Sequence, residues 1–423
     1  MADLTSTFLG ITSPNPFWLA SAPPTDKAYN VNRAFEAGWG GAVWKTLGEA
    51  GPPIVNVSGP RYSALHSNER RVIGFNNIEL ITDRPLETNL EEIRQIKRDW
   101  PDRALVVSVM LPMTEEAWAE HVPMIEDTGA DALELNFGCP HGMSERGMGA
   151  AVGQVPEYIR MATEWCKQAA SVPVIVKLTP NVTNILPPAK AAKDGGADAV
   201  SLINTVNSIM RVDYDKLTMY PTTDGMGTHG GYCGEAVKPI ALNMVAEIAR
   251  TKDTSDIPIS GIGGITDWRD AVDFLALGAS NVQVCTAAMV YGFRIIEDLA
   301  DGLSTFLDDK RMTSVSDLVG KAVPSVTDWQ YLNLNYVEKA VIDQDLCIKC
   351  GRCHVVCEDT SHQAITSTVN GERRFEVIDD ECVGCNLCTS VCPVDSCITM
   401  KQVPNDDPRL DWTTHPNNPM RKA

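Results

Sequence analysis

The sequence predicts a (β/α)8 TIM barrel over residues 1–305, a linker over 306–334, a small α+β domain over 335–402 and an extended tail over 403–423. Three observations carry this reading. Apolar, β-branched runs alternate with helical stretches through the first part of the chain. The C-terminal ends of those runs are polar, as the active-site ends of such barrels are. Nine of the 13 cysteines fall between Cys347 and Cys397, which marks a change of domain.

The eight runs are "FWLASA" (17–22), "GAVWKT" (41–46), "LVVSVM" (105–110), "ALELNF" (132–137), "VIVKLT" (174–179), "VSLINT" (200–205), "IPISGI" (257–262) and "VQVCTA" (282–287). Near-continuous apolar strands fit a parallel sheet covered by helices. The helices are read from "LETNLEEIRQIKRDW", "PEYIRMATEWCKQAA", "GEAVKPIALNMVAEIAR" and "WRDAVDFLALG". A doubly wound open sheet is the alternative, but its G-x-G-x-x-G fingerprint after the first strand is missing.

Composition narrows the function classes. Hydrophobic content of 44% and charged content of 22% are ordinary globular values. A formal net charge of −19 opposes nucleic acid or an anionic membrane as the main partner. No apolar run approaches the roughly 18–20 residues of a membrane span. "MADLTSTFLG" has neither a basic n-region nor an apolar h-region, so a cytoplasmic address is expected. Cysteines in that setting point to metal or catalysis rather than disulfides.

The C-terminal cysteines form an internal repeat, "CIKCGRCHVVCED" and "CVGCNLCTSVCPV", introduced by "VIDQDLC" and "VIDDEC". Each copy is C-x2-C-x2-C-x3-C, the spacing that grips three corners of a 4Fe–4S cube and sends its fourth thiolate to the other cluster. Cys347, Cys350, Cys353 and Cys392 are therefore expected around one cluster, and Cys382, Cys385, Cys388 and Cys357 around the second. The segment resembles a bacterial two-cluster ferredoxin, so the small domain is expected to be ferredoxin-like. Zinc is the alternative, but zinc knuckles do not need a third close cysteine. Glu358 stands where the second copy has Pro393, which changes a turn preference and not the ligand set.

In the barrel, the polar strand ends are Ser21, Lys45–Thr46, Asn136, Lys177–Thr179, Asn204–Thr205, Gly263–Gly264 and Cys285–Thr286. A lysine inside a barrel is costly unless paired, so Lys45 and Lys177 point to a bound anionic cofactor; the alternative is that each snorkels to the surface. "SGIGGITDWRD" places Gly263 and Gly264 before a helix after the seventh run, where bare N–H groups attract phosphate. With one-electron clusters attached, these features point to FMN, which exchanges two electrons as hydride and passes them on singly.

The segments "SPNPFWLASAPPT", "GFNNIEL", "NFGCPHGMSERGMG", "VKLTPNVT", "INTVNSIM", "GIGGI" and "VQVCTA" resemble the dihydroorotate dehydrogenase-type FMN barrels, and among them the dihydropyrimidine dehydrogenase branch. The order of barrel, linker and two-cluster segment is similar to the bacterial FMN and iron–sulfur subunits of that branch. The resemblance implies Ser21, Lys45 and Lys177 at the flavin, with Gly263, Gly264, Cys285 and Thr286 at its phosphate. It implies Asn77, Asn136, Asn204 and Thr205 reading the pyrimidine edge. It makes Cys139 the general acid on a loop that closes over substrate, with His141 relaying or orienting. A buried structural cysteine is the alternative for Cys139. The family's serine before that cysteine is Gly138 here, which removes a hydroxyl and is expected to leave the loop freer.

The implied activity is reduction of uracil and thymine, with electrons from NAD(P)H entering through an FAD-binding partner subunit, since no second dinucleotide fingerprint is seen. A homo- or hetero-oligomer is expected. The alternatives are a dihydroorotate-type dehydrogenase running into the clusters, for which Lys45 or Arg146 would hold a substrate carboxylate, and an electron-transfer subunit with a silent barrel.

Overall fold

The computed structural model describes residues 2–49, 54–143, 146–360, 362–406, 408, 410 and 415–418. The chain divides into two compact units, Met1–Val326 and Thr327–Ala423.

In the first unit eight parallel strands close into a barrel in chain order: β1 (Phe17–Leu19), β2 (Gly41–Leu47), β3 (Ala104–Val109), β4 (Ala132–Asn136), β5 (Val174–Lys177), β6 (Ala199–Leu202), β7 (Ile259–Ile262) and β8 (Asn281–Val284). Closure is the parallel pairing of β8 with β1, Val282 opposite Phe17. All eight runs read from the sequence are barrel strands. Alternation along them sends one residue set inward and the other to the helices. Trp18, Val43, Val106, Ile175 and three alanines form an interior cluster, completed by Phe8 from the antiparallel pair Ser6–Phe8 and Ile11–Ser13. One layer higher the interior turns polar, with Glu134, Ser201, Ser260 and Gln283 joined by hydrogen bonds.

The covering helices are α1 (Ala28–Ala37), α2 (Leu86–Asp99), α3 (Glu115–Glu126), α4 (Pro156–Ala169), α5 (Leu186–Asp194), α6 (Lys238–Arg250), α7 (Trp268–Ala276) and α8 (Ile295–Asp309). The sequence of α2 shows why such segments form. Leu86, Leu90, Ile93 and Ile96 are buried at helical spacing, Glu87 sits in the first turn, and Lys97 and Arg98 in the last, each charge matching the helix dipole. In α7 the Asp267 side chain caps the start, accepting from the backbone N–H groups of Arg269 and Asp270.

Two excursions add a four-stranded antiparallel sheet that the sequence reading did not contain. Its strands run in the order Val206–Ser208, Gly230–Gly234, Val72–Asn77 and Tyr62–His66. The expected linker is also corrected. Helix α8 continues to Asp309, Val315 and Leu318 are buried in the barrel unit's core, and the backbone N–H groups of Gly320 and Ala322 bond to Leu275 and Ala276. The last two bonds hold the segment against the C-terminal end of α7. No helix among the described residues is long and apolar enough to cross a membrane.

The second unit is built on an antiparallel pair, Val337–Ile342 with Ile398–Val403, and two short helices, Arg352–Glu358 and Leu387–Val391. The paired strand thus includes Val403, the first residue assigned to the tail; of that tail, 407, 409, 411–414 and 419–423 lie outside the described residues.

Candidate active site and cluster sites

Most of the barrel residues singled out in the sequence border one open cavity of about 1150 Å³ at the C-terminal ends of the strands; Gly138, Arg146 and Thr179 do not line it. Ser21, Lys45, Asn136 and Lys177 come from β1, β2, β4 and β5 or the residue turns that follow them. Asn204 and Thr205 follow β6, Gly263 and Gly264 follow β7, and Cys285 and Thr286 follow β8. Asn77 reaches the same space from the excursion sheet, together with Tyr62, Phe75, Tyr232 and Cys233. Convergence of these ends is a consequence of barrel closure, which no local pattern encodes.

The two lysines are balanced within the chain, unlike the sequence expectation that they wait for an external anion. Lys45, 5% exposed, places Nζ 2.6 Å from Glu79 Oε1 and 3.4 Å from Asp26 Oδ2. Glu79 Oε2 also accepts from the Tyr62 hydroxyl at 2.6 Å. Burial first, and the neighbouring Glu79 carboxylate second, push the Tyr62 phenol well above its ordinary range. Lys177 lies 3.4 Å from Glu134, whose side chain is fully buried. The sequence reading missed Glu79 and Glu134. A glutamate inside the apolar run "ALELNF" was the available signal, since carboxylates are rarely buried unless paired.

A ladder of small polar groups crosses the cavity floor. The Thr46 backbone N–H donates to Ser21 Oγ at 3.1 Å, and Asn136 Nδ2 donates to Thr46 Oγ1 at 2.9 Å. Asn136 Oδ1 accepts from Gly138 N at 3.2 Å and from Asn204 Nδ2 at 2.9 Å; Asn204 Oδ1 accepts from the Thr205 N–H at 2.8 Å. An amide offers two donors and two lone pairs. By that count Asn136 keeps one N–H for a ligand, and Asn204 keeps one N–H and one lone pair. Asn77 donates to the Gly231 carbonyl at 3.1 Å.

The Cys139 thiol is 9% exposed and borders the cavity on one side and a cluster of Ile81, Met110, Met143 and Met148 on the other. Burial in this apolar shell pushes the thiol up to about 11, only partly offset by its contact with the His141 carbonyl. Its loop is tied down from several sides. His141 Nε2 lies 3.0 Å from the Glu79 carbonyl, His229 Nε2 lies 3.2 Å from the Pro140 carbonyl, and Ala150 N donates to the Cys139 carbonyl at 3.0 Å. The His141 ring thus contacts the segment that carries Glu79. Ser144 and Glu145 of the same loop lie outside the described residues. Gly138 is not the slack position expected from sequence. A Cβ there would meet Asn204 Cβ at 2.4 Å and Nδ2 at 2.5 Å, so Asn204 occupies the space a side chain would need.

After β7 the chain turns through Gly263 and Gly264, at φ +129° and +77°. A Cβ on Gly264 would come within 3.0 Å of the backbone nitrogen of Lys238, at the start of α6. Bare backbone beside a helix N-terminus suits a phosphate. Gln283 Oε1 and the Tyr232 hydroxyl are buried polar atoms at the cavity without a protein partner, as expected where a polar ligand completes the site. Burial raises the thiols of Cys233 and Cys285, which sit nearby as neutral groups.

In the second unit the cysteines line two separate hollows. Cys347, Cys350, Cys353, Cys392 and also Cys397 border one hollow of about 310 Å³, with Ile342, Phe375 and Ile398. Cys357, Cys382, Cys385 and Cys388 surround another of about 370 Å³, with Ala340, Ile365 and Met400. The antiparallel strand pair supplies apolar wall to both. Among the described residues no three His, Cys, Asp or Glu side chains converge as a single-ion site requires. Several thiols around each hollow fit the corners of an inorganic cube. Cys397 is buried and its thiol contacts the Asp343 carbonyl at 3.7 Å.

Comparison with known proteins bears on both units. Residues 3–307 match the dihydroorotate dehydrogenase family and residues 340–400 match a 4Fe-4S dicluster domain. The chain is 40% identical over 401 residues to the NAD-dependent dihydropyrimidine dehydrogenase subunit PreA of Escherichia coli (strain K12), covering 95% of this chain and 96% of that one. It is 40% identical over 333 residues to the chloroplastic dihydropyrimidine dehydrogenase (NADP(+)) of Arabidopsis thaliana, covering 77% and 78%. Identity to the catalytic subunit of dihydroorotate dehydrogenase B (NAD(+)) of Pyrococcus abyssi is 37% over 316 residues, covering 74% and 97%. A crystal structure of ligand-free type DHODH from Eimeria tenella superposes with a TM-score of 0.62 at 21% identity, over 76% of this chain and 92% of that one, which speaks to the fold. The first family implies a flavin in the barrel and the second match implies 4Fe–4S chemistry in the smaller unit. This chain is an oxidoreductase that belongs to the dihydroorotate dehydrogenase family and carries an added 4Fe–4S domain.

Proposed function

We propose that the chain reduces uracil and thymine to their 5,6-dihydro forms, with Cys139 as the proton donor. The observation that carries this reading is a thiol held neutral by burial, beside a cavity whose floor is a run of asparagine amides. A pyrimidine edge alternates C=O and N–H, and the spare N–H groups and lone pair of Asn136 and Asn204 match that alternation. Asn77 and Thr205 complete the same lining.

Gly263, Gly264, Cys285 and Thr286 would hold FMN at its phosphate, and Ser21, Lys45 and Lys177 at its ring. When bound, FMN supplies the hydride for carbon 6 of the pyrimidine, and two 4Fe–4S clusters carry single electrons to it. The chain's own part is to orient the ring and to deliver a proton from Cys139 Sγ to carbon 5, with His141 holding the loop in place. A thiol raised to about 11 is fully protonated at neutral pH and is ready to act as the acid.

Electrons would come from NAD(P)H through an FAD-binding partner subunit. The support is that the Escherichia coli relative is named as a subunit of an NAD-dependent enzyme. The chain would work in the cytoplasm as part of such an oligomer.

A dihydroorotate-type reaction is the second reading, favoured by the identity to the Pyrococcus abyssi subunit. A carboxylated substrate needs a free cation, whereas Lys45 already carries two carboxylates and Arg146 is exposed and outside the cavity lining. The test is anaerobic turnover of uracil with a low-potential dye as electron source. Dihydrouracil as product supports the proposal; none from protein with intact flavin and iron contradicts it.

A further inference from the structure

Beneath the cavity floor, strands β4 to β8 converge on one carboxylate that the proposed chemistry does not use. Glu134 on β4 has no exposed surface. Its Oε2 accepts from Ser201 Oγ on β6 at 2.8 Å and from Gln283 Nε2 on β8 at 3.1 Å. Gln283 Nε2 in turn donates to Ser260 Oγ on β7 at 3.0 Å. Glu134 Oε1 lies 3.4 Å from Lys177 Nζ on β5. Lys177 and Gln283 border the cavity; Glu134 stands behind them.

Two features set this pair apart from an ordinary buried ion pair. A close charge-assisted hydrogen bond spans about 2.7–2.9 Å, and the Glu134–Lys177 separation is longer. Lys45, by contrast, sits 2.6 Å from one carboxylate and 3.4 Å from another. Among the described residues, Glu134 is the one carboxylate within 4.0 Å of Lys177. An ammonium has three donors, so Lys177 is steadied from below while donors remain for whatever fills the cavity. The carboxylate itself is fixed by hydrogen bonds from two other strands.

We propose that Glu134 is a positioning residue that holds Lys177 from beneath, offsets part of its charge, and thereby sets the electron affinity of the flavin above it. The inference rests on the reading that this cavity binds FMN. Two-electron reduction with uptake of one proton leaves a flavin with one extra negative charge. Lys177 favours that charge and the fixed Glu134 carboxylate opposes it, with little solvent between them to screen the effect. Removing the carboxylate's charge while keeping its shape therefore favours the reduced flavin.

The test uses the whole chain with its clusters. Wild type, Glu134→Asp and Glu134→Gln are titrated with FMN for the dissociation constant of the oxidised form, and the flavin midpoint potential is then measured against reference dyes. In Glu134→Gln, affinity for reduced relative to oxidised FMN rises at least tenfold, about 30 mV upward for a two-electron couple. Glu134→Asp, whose carboxylate withdraws from Lys177 by one methylene, moves the same way by about two- to threefold, and it serves alone if Glu134→Gln does not fold. An unchanged potential in a folded variant, even one with a lowered melting temperature, would overturn the proposal and leave the pair a structural one. Wild-type protein that binds no FMN would instead remove the reading beneath it.

Discussion

Asn204 donates its side-chain N–H to Asn136 Oδ1 at 2.9 Å, joining the residues that end β4 and follow β6. That bond passes through the space where a side chain on residue 138 would lie, 2.4 Å from Asn204 Cβ. Gly138 is thus a packing requirement of the amide ladder and not a loose joint. Gly138→Ser must push Asn204 off Asn136. The expected result is a rise of about tenfold in KM for uracil, roughly 1.4 kcal/mol of lost binding, with the flavin spectrum unchanged. Steady-state kinetics check this; a KM equal to wild type would show that Asn204 does not read the substrate.

Removing the acid should cost more than removing a contact. Cys139→Ala is expected to lower turnover by about 10² to 10⁴, the usual range for a general acid, while flavin and cluster absorbance persist. Cys139→Ser should fall between, since a hydroxyl is a poorer proton donor than a thiol. Turnover near wild type in both variants would return Cys139 to the role of a buried packing residue.

The raised thiol makes a pH prediction of definite sign. Proton delivery needs the neutral thiol, and its fraction stays full through neutral pH and falls as pH rises through about 11. Alkylation needs the thiolate and runs the opposite way. Iodoacetamide should modify Cys139 slowly at pH 8 and faster with an apparent pKa of about 11, against the 8.5 or so of an ordinary cysteine. Peptide mapping of the modified chain reads this residue among the others.

The crossed arrangement of cysteines predicts which cluster each variant loses. Cys392 belongs to the second sequence run but borders the hollow of Cys347, Cys350 and Cys353. Cys392→Ser should therefore disturb the first run's cluster and Cys357→Ser the second run's. Each variant is expected to fall from about eight to about four irons per chain, and the two surviving clusters should give different electron paramagnetic resonance spectra. Identical surviving spectra would mean that each run binds its own four cysteines.

The barrel strands were legible because each is an apolar, β-branched run long enough to be buried on both faces. The cluster ligands were legible because their spacing is local. The excursion sheet was not, since its strands find partners far along the chain: Asn76 bonds Ser208, 132 residues away. With it went Tyr62 and the placement of Glu79. Glu134 was missed although it is a charge in an apolar strand, because its meaning depends on Lys177 one strand over. The segment to Val326 failed as a linker because apolar residues along it, among them Leu307, Val315 and Leu318, are buried in the barrel unit's core.

The most direct test of the central claim is a half-reaction. The protein, purified anaerobically with its flavin and clusters and reduced by light, is mixed separately with uracil, thymine and orotate while flavin and cluster absorbance is followed. The account predicts rapid reoxidation by uracil and by thymine and none by orotate. Reoxidation by orotate alone, or by no pyrimidine while the flavin remains intact, would contradict it.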